Sequence, residues 1–312
     1  MITFWIAIAL KVTLWATAFC MAVLVLPRQQ PRTRRVVALF GLWGAWLVPW
    51  LPAKIVAMQA IPVSSSMYVS SFSWVVVPAA LWACGSVILL TRLLCEAATI
   101  AKLVKSAEMG ALKKFAELEV RFSSEVEGPC MTGWWRPCVL LPHESVTWPE
   151  STLLAALRHE RQHARQHDCL HRFCSALLRV AFWWNPAVHA LCSLYEHESE
   201  VCCDHEASSA GMSRKEYGEM LLAHATGTPH RGFAMSFARR TGLRGRIARL
   251  LEAPRHSGWL TSTRWATALL LMTTAGVLVA AVRIAPVELP SHSSMESEAR
   301  LRLSANPFPG AP

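Results

Sequence analysis

Four long apolar stretches constrain this chain more than any other feature: Ile2 to Leu26, Val36 to Ala53, Trp74 to Thr91 and Trp265 to Val282. Each comes near the ~20 residues that a helix needs to cross ~30 Å of hydrocarbon. Inside that layer a backbone satisfies its own polar groups only as a helix or a closed barrel. A mainly α integral membrane protein with about four transmembrane helices is therefore expected. Composition agrees: of 312 residues 53% are hydrophobic, 17% are charged and 14 are tryptophan, too apolar for an ordinary soluble domain. The first stretch is too long for a signal peptide and lacks a small-residue cleavage site, so it reads as a retained span. Trp46, Trp50, Trp74 and Trp265 fall where interfacial aromatics sit.

Positive charge sets the expected orientation. Arg28, Arg32, Arg34 and Arg35 crowd the link between the first two stretches, whereas the next link holds only Lys54. By the positive-inside rule the arginine link faces the cytoplasm. The N-terminus and the loop Ala60 to Ser73 are then outside, the region Leu93 to Thr263 inside, and the tail after Arg283 outside. The expected organisation is a three-helix membrane domain over 1–98, a cytoplasmic domain over 99–263, a fourth helix over 264–283 and a short extracytoplasmic tail over 284–312. The membrane is the inner, cytoplasmic one. All ten cysteines lie in spans or in the inside region, where reduced thiols are expected.

The net charge of +10 has two expected sources. Arg28 to Arg35, Arg92, Lys102 and Lys105 flank spans and are expected to meet anionic headgroups. Arg239, Arg240, Arg244, Arg246 and Arg249 read as a helical basic face near the membrane, and no aromatic platform accompanies them, so direct nucleic-acid binding is not expected. Lys11 is the one deep charge, and snorkelling to the outer interface is favoured over a place inside the bundle.

The inside region carries the chemistry. His159-Glu160-Arg161-Gln162-His163 has the H-E-x-x-H spacing. Residues four apart on a helix stand one above the other, so His159 and His163 can share one metal ion, with Glu160 on the next ridge as general base. Thr147 three residues before Glu150, with Pro149 between them, predicts the start of this helix. His167 and His171 continue the four-residue ladder and are read as polar-face residues. Asn185-Pro186 predicts a second helix start, with an end at Gly211. Glu196, Glu200 and Asp204 share a face of that helix, and Cys203 is a rival ligand of the kind more usual in structural zinc sites. A carboxylate would complete a His2Glu catalytic zinc site, and an aspartate one turn on could hold a ligand histidine by its free ring nitrogen. Before these helices, Ala107 to Leu118 reads as helical, with short strands at Glu119 to Phe122 and Cys138 to Leu141. Phe173 to Tyr195 is broken by Arg179 and Asn185-Pro186, and reads as a helix-turn-helix against the membrane side of the site.

The chain resembles the BlaR/MecR-type regulatory membrane zinc metallopeptidases. The resemblance runs from about Val126 to Leu251 and is carried by GWWRPCVLLP (Gly133 to Pro142), HERQHARQHD (His159 to Asp168), FWWNP (Phe182 to Pro186), EVCCD (Glu200 to Asp204) and Leu243 to Leu251 with Arg246-Ile247. It implies a zincin-like domain at the cytoplasmic face in which His159, His163 and Glu200 bind Zn2+, Glu160 is the base and Asp204 supports the site. It also implies an extended segment near Gly133 to Leu141 that pairs with substrate backbone. The implied substrate is a cytoplasmic protein, a small DNA-binding repressor, cleaved on an envelope signal. No serine is followed by lysine three residues later, and about thirty residues follow the last apolar stretch. The penicillin-binding sensor domain of the best-known members is therefore not expected, which leaves a separate sensor or a homo-oligomer open. Two alternatives stand beside this reading: a processing or quality-control peptidase resembling the CAAX-prenyl and HtpX proteases, and a non-catalytic metal-binding receptor. An intact Glu160 speaks against the receptor.

Overall fold

The computed structural model describes residues 2–50, 72–110, 118–208, 212–226, 242–252 and 258–281. Among them the chain forms α1 (Ile2–Val25), α2 (Pro31–Leu47), α3 (Phe72–Ser106), four short strands, then α4 (Glu150–Arg165), α5 (Asp168–Ala181), α6 (Pro186–Ser208), α7 (Arg214–Thr226), α8 (Leu243–Leu251) and α9 (Gly258–Ala281). The fold is thus mainly helical with a small sheet. The helix end expected at Gly211, Arg239 and Arg240, most of the loop Ala60 to Ser73, and the tail after Arg283 lie outside the described residues.

Two of the four expected spans, α1 and α3, contain stretches long and apolar enough to cross a membrane. α2 has 17 residues, about 25 Å of helix, and ends in a single 3-10 turn at Val48–Trp50. The apolar part of α9, Thr263–Val279, is also shorter than a full span. α3 runs fifteen residues past Thr91, because Arg92, Glu96, Lys102 and Lys105 interrupt an apolar pattern that stays helical throughout. The domain boundary expected near residue 98 falls inside this helix. Leu81, Val87 and Ile88 of α3 and Leu269, Leu270 and Val277 of α9 stand exposed on the outside, as side chains facing lipid would.

The core crosses the expected boundary between membrane and catalytic parts. Val12, Ala16 and Phe19 of α1, Leu42 of α2 and Leu191 and Tyr195 of α6 belong to one buried cluster. Lys11 is buried at 6% exposure, so it faces the interior and does not snorkel. Arg34 and Arg35 of the first link also turn inward, while Arg28 and Arg32 stay exposed. Arg34 donates to Glu198 Oε1 and to the Leu26 carbonyl, each at 2.8 Å, and Arg32 reaches Glu206 at 2.7 Å. Arg34 and Arg35 neutralise buried acids of the catalytic region, where headgroup contacts were expected.

The sheet has the order β1-β2-β4-β3, with β1 at Glu108–Gly110, β2 at Glu119–Ser123, β3 at Cys130–Thr132 and β4 at Cys138–Pro142. β2 and β4 lie where strands were expected. β1 begins where a helix was expected: α3 ends at Ser106 and the chain turns back to pair antiparallel with β2, Met109 opposite Arg121. Gly110 permits this, because a Cβ there would meet the Phe122 ring at 2.3 Å.

Glu198 is fully buried between Arg34 and Arg249. Removing one member of such a set leaves buried charge uncompensated, at a cost of about 3–5 kcal/mol. Glu198→Gln should therefore lower the thermal unfolding midpoint in detergent clearly. Lys215→Ala, which removes an exposed pair with Glu219, should leave it unchanged.

Candidate metal centre

The motif helix starts one residue before Glu150, and not through Thr147. Trp148 precedes a proline and is held extended, so Thr147 stays in the preceding 3-10 turn and donates to the Glu144 carbonyl at 2.8 Å. Pro149 occupies the cap position without a side-chain bond. From there the helical repeat turns His159, Glu160 and His163 to the buried side with Ala155, Ala156 and Leu157.

The expected ladder of histidines stops at His167, which adopts a left-handed conformation at φ 52 and separates α4 from α5. His167 is exposed. His171, expected on a polar face, is half-buried with its ring edge-on to Trp43 and Tyr195. The break has a consequence for the site. On a continuous helix Asp168 would point away from His163, but the left-handed corner brings its Oδ2 to within 2.7 Å of His163 Nδ1.

α5 and α6 form the expected helix-turn-helix. Asn185 Oδ1 accepts from the backbone N–H of Ala187 at 3.0 Å and of Val188 at 3.4 Å, with Pro186 in the first helical position. α6 then carries Glu196, Glu198, Glu200 and Asp204 into the interior, all buried.

His159, His163 and Glu200 come together in a group that could hold a metal ion, their ligand atoms within 4.8 Å of one another. The two Nε2 atoms are 3.1 Å apart, and Glu200 oxygens lie 3.5 Å from each. A tetrahedral ion with bonds of 2.0–2.1 Å separates its ligands by about 3.3 Å, so the three donors match its edges. Proton placement supports the same conclusion. His163 Nδ1 donates to the Asp168 carboxylate, and His159 Nδ1 lies 3.2 Å from Asp204 Oδ1 and 3.1 Å from the Tyr217 hydroxyl. With both Nδ1 atoms facing acceptor oxygens, the two Nε2 atoms face each other and can both turn lone pairs to a cation between them.

The electrostatics of the pocket favour positive charge at that point. Burial presses the His159 imidazole toward neutrality, but Asp204 and Glu200 outweigh it and raise its pKa to about 10. Burial raises the Glu200 carboxyl, yet Arg246 and Arg172 hold it well below the usual range. Asp204 is likewise lowered against burial, by a bidentate pair with Arg246 at 2.6 and 2.7 Å.

The rival ligands lie outside the group of His159, His163 and Glu200, although Cys203 with His163 and Asp168 forms a second set that could hold a metal ion. Glu196 pairs with Arg179 at 2.6 Å. Cys203 Sγ lies 3.4 Å from His163 Nδ1, on the side of the ring away from the His159 and Glu200 donors. Burial and then Asp168 and Glu200 raise its thiol well above the ordinary value, which disfavours the thiolate a metal would need. Glu160 is buried, and among the described residues it alone of the site's carboxylates has no hydrogen-bond or ion-pair partner.

Asp168, Arg172, Tyr217 and Arg35 were not singled out as site residues from sequence. Arg172 pairs with Glu200, and Tyr217 OH donates to Asp204 Oδ1 at 3.0 Å. Asp168 closes the HERQHARQHD element and Arg246 had been read as part of a surface face, so sequence contained both signals without their partners. The strand Cys138 to Leu141 has neighbours on both sides, so the free edge beside the site belongs to β3. The Met131 carbonyl on β3 accepts from Cys169 of α5 at 3.4 Å. Gly133 closes the β3–β4 turn at φ +88, where a Cβ would strike the Arg136 carbonyl oxygen at 2.2 Å.

The arrangement agrees with comparisons to known proteins. The chain is 27% identical over 160 residues to the "Regulatory protein BlaR1" of Bacillus licheniformis, covering 46% of this chain and 26% of that protein. It is 25% identical over 109 residues to the "Methicillin resistance mecR1 protein" of Staphylococcus aureus (strain Mu50 / ATCC 700699), covering 34% of this chain and 18% of that protein. The matched part is thus about a quarter or less of each relative's length. Residues 52–250, which include every donor of the candidate metal centre, match the family described as BlaR1 peptidase M56, and the chain belongs to that family.

Proposed function

We propose that this protein is a membrane-embedded zinc endopeptidase of the signalling kind, which cleaves a cytoplasmic protein on an envelope signal. The observation that carries this reading is the pair of facing Nε2 atoms at 3.1 Å, closed by Glu200, with the buried Glu160 next to His159 in the helix and without a hydrogen-bond or ion-pair partner among the described residues. Zinc in this donor set would supply Lewis acidity, lowering the pKa of a bound water and polarising a peptide carbonyl. The chain's own residues do the rest. Glu160 takes the proton of the attacking water and delivers it to the departing amine nitrogen. Asp168 and Asp204 hold the two imidazoles in the tautomer that keeps both Nε2 atoms available. The free edge of β3 offers an extended substrate backbone a strand to pair with. The preferred substrate class is a small DNA-binding repressor, as the family resemblance implies, and the relative's name as a regulatory protein supports a signalling role.

The site is assigned to the cytoplasmic side of the inner membrane. Arg28, Arg32, Arg34 and Arg35 of the first link all pair with acids of the catalytic region, which keeps that link and the site on one side. The positive-inside rule makes it the inner side. Reporter fusions within Gly211 to Gly227 should behave as cytoplasmic and fusions within Ser64 to Ser73 as external. An external signal from the former would redirect the proposal to an envelope substrate.

Glu160→Gln should bind zinc like the parent and lose cleavage by about three orders of magnitude or more, since the ligands remain and the proton acceptor is gone. Bound zinc and proteolysis measured in one preparation check this, and parental cleavage would refute the assignment. Glu200→Ala should severely lower zinc occupancy and Asp204→Ala should weaken binding about 10 to 100-fold. Glu196→Ala and Cys203→Ser should bind as the parent does. Normal zinc in Glu200→Ala beside a large loss in either of the last two would overturn the ligand set.

A further inference from the structure

We propose that Arg35 of α2 and Asp168 are positioning residues for His163, so that a helix of the apolar bundle sets the orientation of one metal ligand. The inference rests on the zinc reading above. His163 Nδ1 donates to Asp168 Oδ2 at 2.7 Å, and Ser199 donates to the same oxygen. The other oxygen, Oδ1, accepts from Arg35 Nη2 at 2.5 Å and from the Tyr195 hydroxyl at 2.9 Å. Asp168 is 1% exposed, so its charge needs these partners and has no water to replace them. Arg35 also donates to the Gln166 carbonyl at 3.0 Å, which ties the left-handed corner at His167 to α2. The carboxylate, the corner and the guanidinium thus form one unit behind the His163 ring.

The other ligand histidine has a separate support. His159 rests on Asp204, which is held by Arg246 of α8 and Tyr217 of α7, and no residue of α2 takes part. Among the described residues α2 thus makes direct polar contact with the support of His163 and none with the groups that hold His159. A carboxylate behind a ligand imidazole fixes its ring and raises its basicity, and losing one weakens metal binding about 10 to 100-fold. Arg34 provides an internal comparison. It is adjacent, equally buried and paired with a buried acid, but Glu198 touches no metal-ligand side chain.

The test uses the full chain in detergent, stripped of metal, with zinc affinity read by competition with a chromophoric chelator and ligand geometry by the visible spectrum of the cobalt(II) form. Asp168→Asn should weaken zinc binding about 10 to 100-fold and Arg35→Gln about 10-fold, each with an altered cobalt spectrum. Arg35→Lys, which restores one donor to Asp168, should recover most of the affinity. Arg34→Gln should unfold at lower temperature yet keep the parental zinc affinity and spectrum. Parental affinity and spectrum in Arg35→Gln would overturn the proposal, as would an equal loss in Arg34→Gln. A parent that takes up no zinc would overturn the zinc reading itself, a failure distinct from normal zinc in a parent whose Arg35→Gln and Asp168→Asn variants bind zinc as it does.

Discussion

The structure depends on a helix that buries acids. α6 carries Glu196, Glu198, Glu200 and Asp204 to the interior, and an isolated carboxylate there would cost several kcal/mol. Each instead meets an arginine: Arg179 for Glu196, Arg34 and Arg249 for Glu198, Arg172 and Arg246 for Glu200, and Arg246 again for Asp204. Those arginines come from α2, α5 and α8. Compensating the charges of one helix therefore gathers three others around it, and the metal donors sit where their arms converge.

This compensation has a chemical consequence at the candidate metal centre. Arg172 and Arg246 hold Glu200 ionised, as a ligand must be, while the aspartates behind the two histidines fix which nitrogen is free. A cation entering between the two Nε2 atoms meets Glu200 already ionised and displaces the proton that the same carboxylates otherwise hold on His159. Glu160 has no hydrogen-bond or ion-pair partner among the described residues, as the proposed role of proton acceptor asks.

What was legible in the sequence follows from how local each determinant is. His159 and His163 face one another because of a four-residue spacing, and Asn185-Pro186 starts α6 through contacts two and three residues away. Both are written within one turn of helix. β1 was missed because three residues carry no period, and only pairing with β2 makes them a strand. The inward turn of Asp168 was missed because it depends on a left-handed histidine, which no glycine announced. Arg34, Arg35 and Arg246 looked like surface charge because their partners lie far along the chain, at Glu198, Asp168 and Glu200. Net charge and spacing cannot separate an arginine that meets lipid from one that meets a buried acid.

The depth of the site follows from the way α6 runs beside α1. Asn185, at the start of α6, donates to Thr13 of α1 at 2.9 Å. Thirteen residues further along each helix, Arg34 joins Glu198 of α6 to the Leu26 carbonyl at the end of α1. The two helices therefore advance in step for about 20 Å, and Glu200 lies level with the point where α1 gives way to Arg28. The turn between α5 and α6 lies at the other end of this run, where Trp82 and Ser86 of α3 donate to the carbonyls of Ala181 and Val180. A helical hairpin packed within the apolar bundle thus carries its apolar residues beside α1 and delivers its acids where the apolar layer ends. Burial in protein keeps the polar groups of the turn satisfied at that depth. The same geometry sets the donors of the candidate metal centre at the end of the hairpin that meets the arginine link.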